Sequence, residues 1–133
     1  MNTLSATITA VTTSKQLSLI QVSAGDDTLY LLLAEGSNEE NLLLTSVTLA
    51  FKETEVILAK ERSQTTANVL KGTVREIQEG IILSQILLNY QETTITALVP
   101  TLTFRSLNIK EEDEVVWMVQ PSEISLLRGS HGI

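Results

Sequence analysis

The sequence predicts an all-β protein made of two similar five-stranded units in tandem. Three observations predict it. The 133-residue chain is 43% hydrophobic but only 4% aromatic. Its core is therefore aliphatic and accompanied by many threonines, a mixture that favours strands. Short apolar stretches alternate with polar residues at a period of two. Finally, the chain repeats at an offset of 66 residues: N-T-L-S-A-T-I at 2–8 lines up with N-V-L-K-G-T-V at 68–74. Leu17, Ser18 and Ile20 fall on Leu83, Ser84 and Ile86, and Thr28 and Leu32 fall on Thr94 and Leu98. Near the end of each unit the offset becomes 68, so that Glu55, Val56 and Leu58 meet Glu123, Ile124 and Leu126. A unit of about 65 residues is marginal alone, so the copies are expected to share a core or to associate.

In the first copy, residues 3–12 alternate, with Leu4, Ala6, Ile8 and Ala10 on one side and threonines on the other. Residues 17–23 form the second strand. Residues 24–27 (A-G-D-D) are a turn, because Gly and Asp tolerate the backbone angles required. Residues 28–34 are an apolar strand, and 35–41 (E-G-S-N-E-E-N) a loop or short helical turn. Residues 47–51 and 55–59 follow as short strands. The second copy repeats this order. Residues 69–78 and 81–90 flank a turn at Glu79 and Gly80. The strand 93–99 ends at Pro100, which cannot donate to a ladder. Thr101 to Leu107 places apolar residues at 102, 104 and 107, which predicts one or two helical turns. Residues 110–114 are an acidic loop, and 115–120 and 123–127 are strands interrupted at Pro121. Five strands with a helical turn between the third and fourth is an OB-like Greek-key pattern. The polar junction 60–66 lacks Gly and Pro and predicts a tight connection between a first domain, 1–64, and a second, 65–133.

Charge and composition exclude several functions. The net charge is −7, with −4 in residues 1–64 and −3 in residues 65–133. Neither half supplies the basic face of a nucleic-acid-binding domain, and aromatic stacking platforms are scarce. There is no cysteine, which removes disulfides, zinc–thiolate sites and thiol nucleophiles. The one histidine, His131, lies in the C-terminal tail, where a catalytic role is not expected. No phosphate loop, dinucleotide fingerprint, H-E-x-x-H or nucleophile elbow occurs. The paired carboxylates (Asp26 and Asp27, Glu39 and Glu40, Glu111 to Asp113) lie in polar turns, where nothing would raise a pKa for general-acid work. No apolar run approaches the roughly 18–20 residues that span a bilayer, and no signal peptide is evident. The chain is expected to be a cytoplasmic protein that is not an enzyme and binds neither nucleic acid nor membrane.

The second copy, T-T-A-N-V-L-K-G-T-V followed by L-N-I-K-E-E-D-E-V-V-W-M-V-Q-P-S-E-I-S-L, resembles the molbindin or TOBE (Mop-like) domain. That family opens with S-A-R-N-x-L-x-G-x-V and closes on I-K-[AS]-[ST]. The resemblance extends over nearly the whole chain as two copies. It implies OB-like barrels that bind molybdate or tungstate at interfaces between domains, in a homo-oligomer, with a trimer favoured and a dimer as the alternative. It also implies the site residues. The closing element falls on Phe51, Lys52, Glu53 and Thr54 in the first copy. In the second it falls on Val119, Gln120, Pro121 and Ser122, where glutamine replaces lysine and proline removes a backbone donor. The opening S-A-R-N falls on Thr65, Thr66, Ala67 and Asn68, with Ala67 in the arginine position. In the first copy this element shrinks to Met1 and Asn2. The oxyanion-binding set implied is thus Lys52, Thr54, Thr65, Thr66, Ala67 and Ser122, with Lys52, Thr54, Thr65 and Thr66 the nearly complete part. The degraded elements leave open a regulatory or protein-interaction module with weakened anion binding.

Overall fold

The computed structural model describes residues 1–34, 43–62 and 68–127. The stretch 35–41, most of the junction 60–66, and His131 lie outside the described residues. The chain is all-β, and its described residues form ten strands in two five-stranded antiparallel sheets. The strands are β1 (Asn2–Ser14), β2 (Leu17–Ala24), β3 (Asp27–Leu33), β4 (Ser46–Phe51), β5 (Ile57–Ala59), β6 (Val69–Gln78), β7 (Leu83–Tyr90), β8 (Thr93–Pro100), β9 (Glu114–Met118) and β10 (Ser125–Leu127). The helix α1 (Thr101–Leu107) follows β8 at the predicted place. It ends at Asn108, whose left-handed φ of 53° closes it as a short polar side chain can.

The strand order exposes a feature that the repeat did not announce. One sheet runs β10-β4-β1-β2-β3 and the other β5-β9-β6-β7-β8. Each half therefore donates its last strand to the sheet of the other half. β5 pairs with β9, matching Leu58 to Trp117, and β10 pairs with β4, matching Leu126 to Leu49. The buried aliphatics of both halves form one continuous core, from Leu4 and Ile8 through Phe51 and Val56 to Val74, Ile95 and Ile124.

Alternation positions most side chains as expected. On β1, Asn2, Leu4, Ala6 and Ile8 face inward while Thr3 and Ser5 face out. Ala10 departs from that row and is only half-buried. A β-bulge at Thr9 inserts one residue opposite β2 and resets the alternation. An equivalent shift at Arg75 interrupts β6, so the bulge is duplicated with the frame. The strand expected at 81–90 begins only at Leu83, because Ile81 and Ile82 belong to the hairpin tip. Residues 123–127 split into a 3-10 turn and the three-residue β10.

Candidate functional site

Two crossovers carry the chain from one sheet to the other, and both contain residues predicted to bind an anion. After β4, Lys52 leads into a 3-10 turn, Glu53–Glu55, and then into β5. After β9, Gln120 leads into the 3-10 turn Pro121–Glu123 and then into β10. The backbones match. Lys52 (φ −75°, ψ 150°) and Gln120 (φ −70°, ψ 142°) are both extended. The Glu55 N–H donates to the Lys52 carbonyl at 3.0 Å, and the Glu123 N–H to the Gln120 carbonyl at 2.9 Å. Buried Val56 and Ile124 anchor the two turns. The first turn packs on β8 and the second on β3. The side chains differ, with an ammonium at Lys52 and a neutral amide at Gln120, and Pro121 lacks the backbone N–H that Glu53 offers.

Lys52, Thr54 and Ser122 are exposed, and among the described residues none of their side chains makes a hydrogen bond or ion pair. Glu53, beside the lysine, is occupied. Its carboxylate accepts from the Met1 amino group, which holds its pKa below the ordinary carboxylate value, helped by a backbone hydrogen bond. Thr65, Thr66 and Ala67 lie outside the described residues.

Two buried asparagines lock the crossovers to the neighbouring half. Asn68, fully buried, accepts from the Tyr30 N–H at 2.7 Å and donates to the Tyr30 carbonyl at 2.8 Å and the Val119 carbonyl at 2.9 Å. Asn2 does the same one repeat earlier, accepting from the Thr96 N–H and donating to the Thr96 carbonyl, both at 2.8 Å. A side-chain amide offers one donor and one acceptor in the spacing of a peptide group. It therefore pairs an edge strand as another strand would. Asn2 and Asn68 stand in the opening element that the resemblance marked, and their visible role is to clamp β8 and β3.

These contacts fix what one chain can bring together. Asn2 is opposite Phe51 in the β1–β4 register, which sets the chain start beside the Lys52 crossover. Val69 is opposite Met118, and Asn68 reaches Val119, on the crossover that carries Ser122. Lys52 and Thr54 therefore lie on one crossover and Ser122 on the other.

Nearly the whole chain shares its fold with ModG. This protein is described as a cytoplasmic molybdate-binding protein, and its crystal structure holds bound molybdate. The likeness has a TM-score of 0.86 over 95% of this chain and 94% of ModG, at 20% sequence identity. No protein-family model matches the chain, and no curated protein sequence does. The likeness to ModG thus extends over nearly the whole of both chains.

Sequence reading passed over one cationic feature. Lys60, Arg62 and Lys71 line a depression of about 320 Å³ with Glu61 and Glu114, at the described end of the junction that leads to Thr65. The corresponding depression on the first half, about 470 Å³, is lined by the hydroxyls of Ser5, Thr7, Ser23, Ser46 and Thr48. The available signal was outward alternation. Lys71 and Glu114 replace Ser5 and Ser46 at equivalent outward positions. Among the described residues no group of three or more His, Asp or Glu could hold a metal cation.

Proposed function

We propose that this chain is a cytoplasmic binding protein for molybdate or tungstate, serving storage or homeostasis rather than catalysis. The anion is held where repeat units of assembled copies meet. The observation that carries this reading is the fold, shared from end to end with a molybdate-binding protein. The chemistry of the first crossover supports it. A tetrahedral dianion is held by several donors converging from different directions, and charge-assisted hydrogen bonds are the strong ones. Lys52 offers an uncommitted ammonium, Thr54 a hydroxyl, and Thr65 and Thr66 would add two more. Such a site needs no basic surface, so a net charge of −7 is compatible with it.

Lys52 and Ser122 sit on separate crossovers, each with only part of a donor set. A second copy is therefore the natural source of the missing donors. We favour a trimer, with a dimer as the alternative. The repeat units 1–64 and 65–133 then contribute unequally, and the Lys52 crossover supplies the working cation.

Isothermal titration with molybdate, tungstate and sulfate tests this on wild type, Lys52→Ala and Gln120→Lys. Loss of a charged donor costs about 1.5–3 kcal/mol, so Lys52→Ala should bind about ten-fold or more weakly. Gln120→Lys should bind more tightly by restoring the second cation. Equal affinity in wild type and Lys52→Ala would remove Lys52 from the site. A second reading is a regulatory or protein-interaction module with little anion binding. It is favoured by Pro121, which removes a backbone donor from the second turn. Thermal melting separates the two, because a ligand that binds only the native state raises Tm. No shift with any oxyanion at millimolar concentration selects the module.

A further inference from the structure

We propose that the cationic depression on the second half binds a linear polyphosphate group, at a site separate from the crossovers. The chain has nine basic residues, and three of them, Lys60, Arg62 and Lys71, line this one depression of about 320 Å³. All three are exposed, and none of their side chains makes an ion pair or hydrogen bond among the described residues. The sheet sets their spacing. Val116 on β9 is opposite Ala59 on β5 and opposite Lys71 on β6. β9 therefore lies between Lys71 on one side and Lys60, the residue after Ala59, on the other. Two strand spacings put roughly 10 Å between those backbones. Two or three phosphoryl groups in line match that span, and a single tetrahedral oxyanion is shorter than it. Arg62 adds a planar fork suited to phosphate oxygens, and the lysines add point charges.

The first half supplies the comparison. Its equivalent depression is lined by hydroxyls and, among the described residues, by no charged side chain. The shared backbone plan thus does not call for cations here. Lys71 stands at the position of Ser5, and Glu114 at that of Ser46. Glu61 and Glu114 bring the charge of the depression to +1, in a chain that carries −7. The ligand is therefore held by hydrogen bonds to particular cations, not gathered by a strongly positive field. Inorganic polyphosphate and a nucleoside triphosphate both carry the group. Among the described residues no aromatic side chain lines the depression to stack on a base, so the phosphates are the part recognised.

Isothermal titration with sodium tripolyphosphate tests this on wild type, Lys71→Ser, Arg62→Gln, Lys110→Gln and Lys52→Ala. Each variant removes one positive charge, and its melting temperature checks that it is folded. Loss of a charged donor should weaken binding about ten-fold in Lys71→Ser and in Arg62→Gln. Lys110→Gln, in the acidic loop, and Lys52→Ala should bind tripolyphosphate as wild type does, which keeps this site distinct from the crossover. Glu114→Gln should bind more tightly, because a carboxylate leaves the depression. Orthophosphate should bind wild type more weakly than tripolyphosphate, and adenosine triphosphate about as tightly. Absence of binding at millimolar tripolyphosphate overturns the proposal. So does equal affinity in wild type and Lys71→Ser, a loss of affinity in Lys110→Gln or Lys52→Ala, or equal affinity for orthophosphate. A nucleotide that binds far more tightly than tripolyphosphate also overturns it, by moving recognition to the nucleoside.

Discussion

The two halves share a backbone plan and differ where side chains meet. Both bulge at the same place on the first strand, both donate their last strand, and both clamp a foreign edge with a buried asparagine. At the centre of the molecule the symmetry ends. Trp117 is fully buried, stacked on Phe51 at 5.9 Å and edge-on to Tyr90 at 5.1 Å, whereas the equivalent position in the first half is Leu49. The hairpin turns of the two halves also touch unequally. Gly25, at φ 60°, lies against the side chain of Gln91, and a Cβ there would come within 2.5 Å of the Gln91 amide nitrogen. Duplication thus preserved what the backbone needs and let the contact surface between the copies diverge. The crossovers follow the same rule, with matched turns and unmatched donors.

The largest effect should come from the aromatic centre. Trp117→Ala leaves a cavity under Phe51 and Tyr90 and should cost about 3–5 kcal/mol, against about 2–5 for Leu49→Ala. Urea unfolding of both variants measures the difference. If Leu49→Ala costs more, the packing centre is not biased toward the second half. The Trp117 Nε1 is buried with no hydrogen-bond partner among the described residues, so part of the loss on truncation is offset by removal of an unsatisfied donor.

The asparagine clamps rank next. Asn68→Ala removes at least three hydrogen bonds, one to the buried Val119 carbonyl and two to the part-buried Tyr30 backbone, and Asn2→Ala removes two to the part-buried Thr96 backbone. Stranded backbone groups cost about 1–3 kcal/mol each. Asn68→Ala should therefore destabilise by about 3 kcal/mol or more and Asn2→Ala by about 2. Amide hydrogen exchange should then accelerate at Tyr30 in the first variant and at Thr96 in the second. Exchange that rises equally along both edges in both variants would mean that the clamps do not act locally.

The smallest effect concerns Tyr90. Its hydroxyl donates to Asp27 at 2.6 Å and accepts from Gln91 at 3.2 Å, which ties the two hairpins together. Burial, with help from the Asp27 carboxylate, raises its pKa well above the ordinary tyrosine value of 10.0. Below pH 10 the tyrosine is protonated in both folded and unfolded chains. Above it, the unfolded chain releases a proton that the folded chain keeps, so this contribution to stability falls as pH rises. Tyr90→Phe should cost about 1 kcal/mol at neutral pH. The gap between wild type and variant should narrow beyond pH 10 in denaturation curves. A constant gap to pH 11 would mean that the tyrosine is not held in its neutral form.

Much of the frame was legible because strands have a period of two and the repeat tests each assignment twice. β6 and α1 fall at their expected bounds, since Val69, Pro100 and Asn108 mark them chemically. Ala10 was misplaced because a bulge is a backbone event that leaves little trace in the hydrophobic pattern. The matched element Asn2/Asn68 was visible as a motif, but its clamp on Tyr30 and Thr96 was not, because those partners lie 38 and 94 residues away along the chain. The candidate site was legible as residue types on two crossovers. Their separation was not, since it follows from which sheet each crossover joins.

The sequence by itself determined an aliphatic all-β chain with two copies of one frame and a lysine in only one closing element. Tertiary structure alone decided that each copy completes the sheet of the other. A three-residue strand such as Ile57–Ala59 carries too little pattern to choose a partner, and its pairing is settled by the core that Val56, Leu58 and Trp117 bury together.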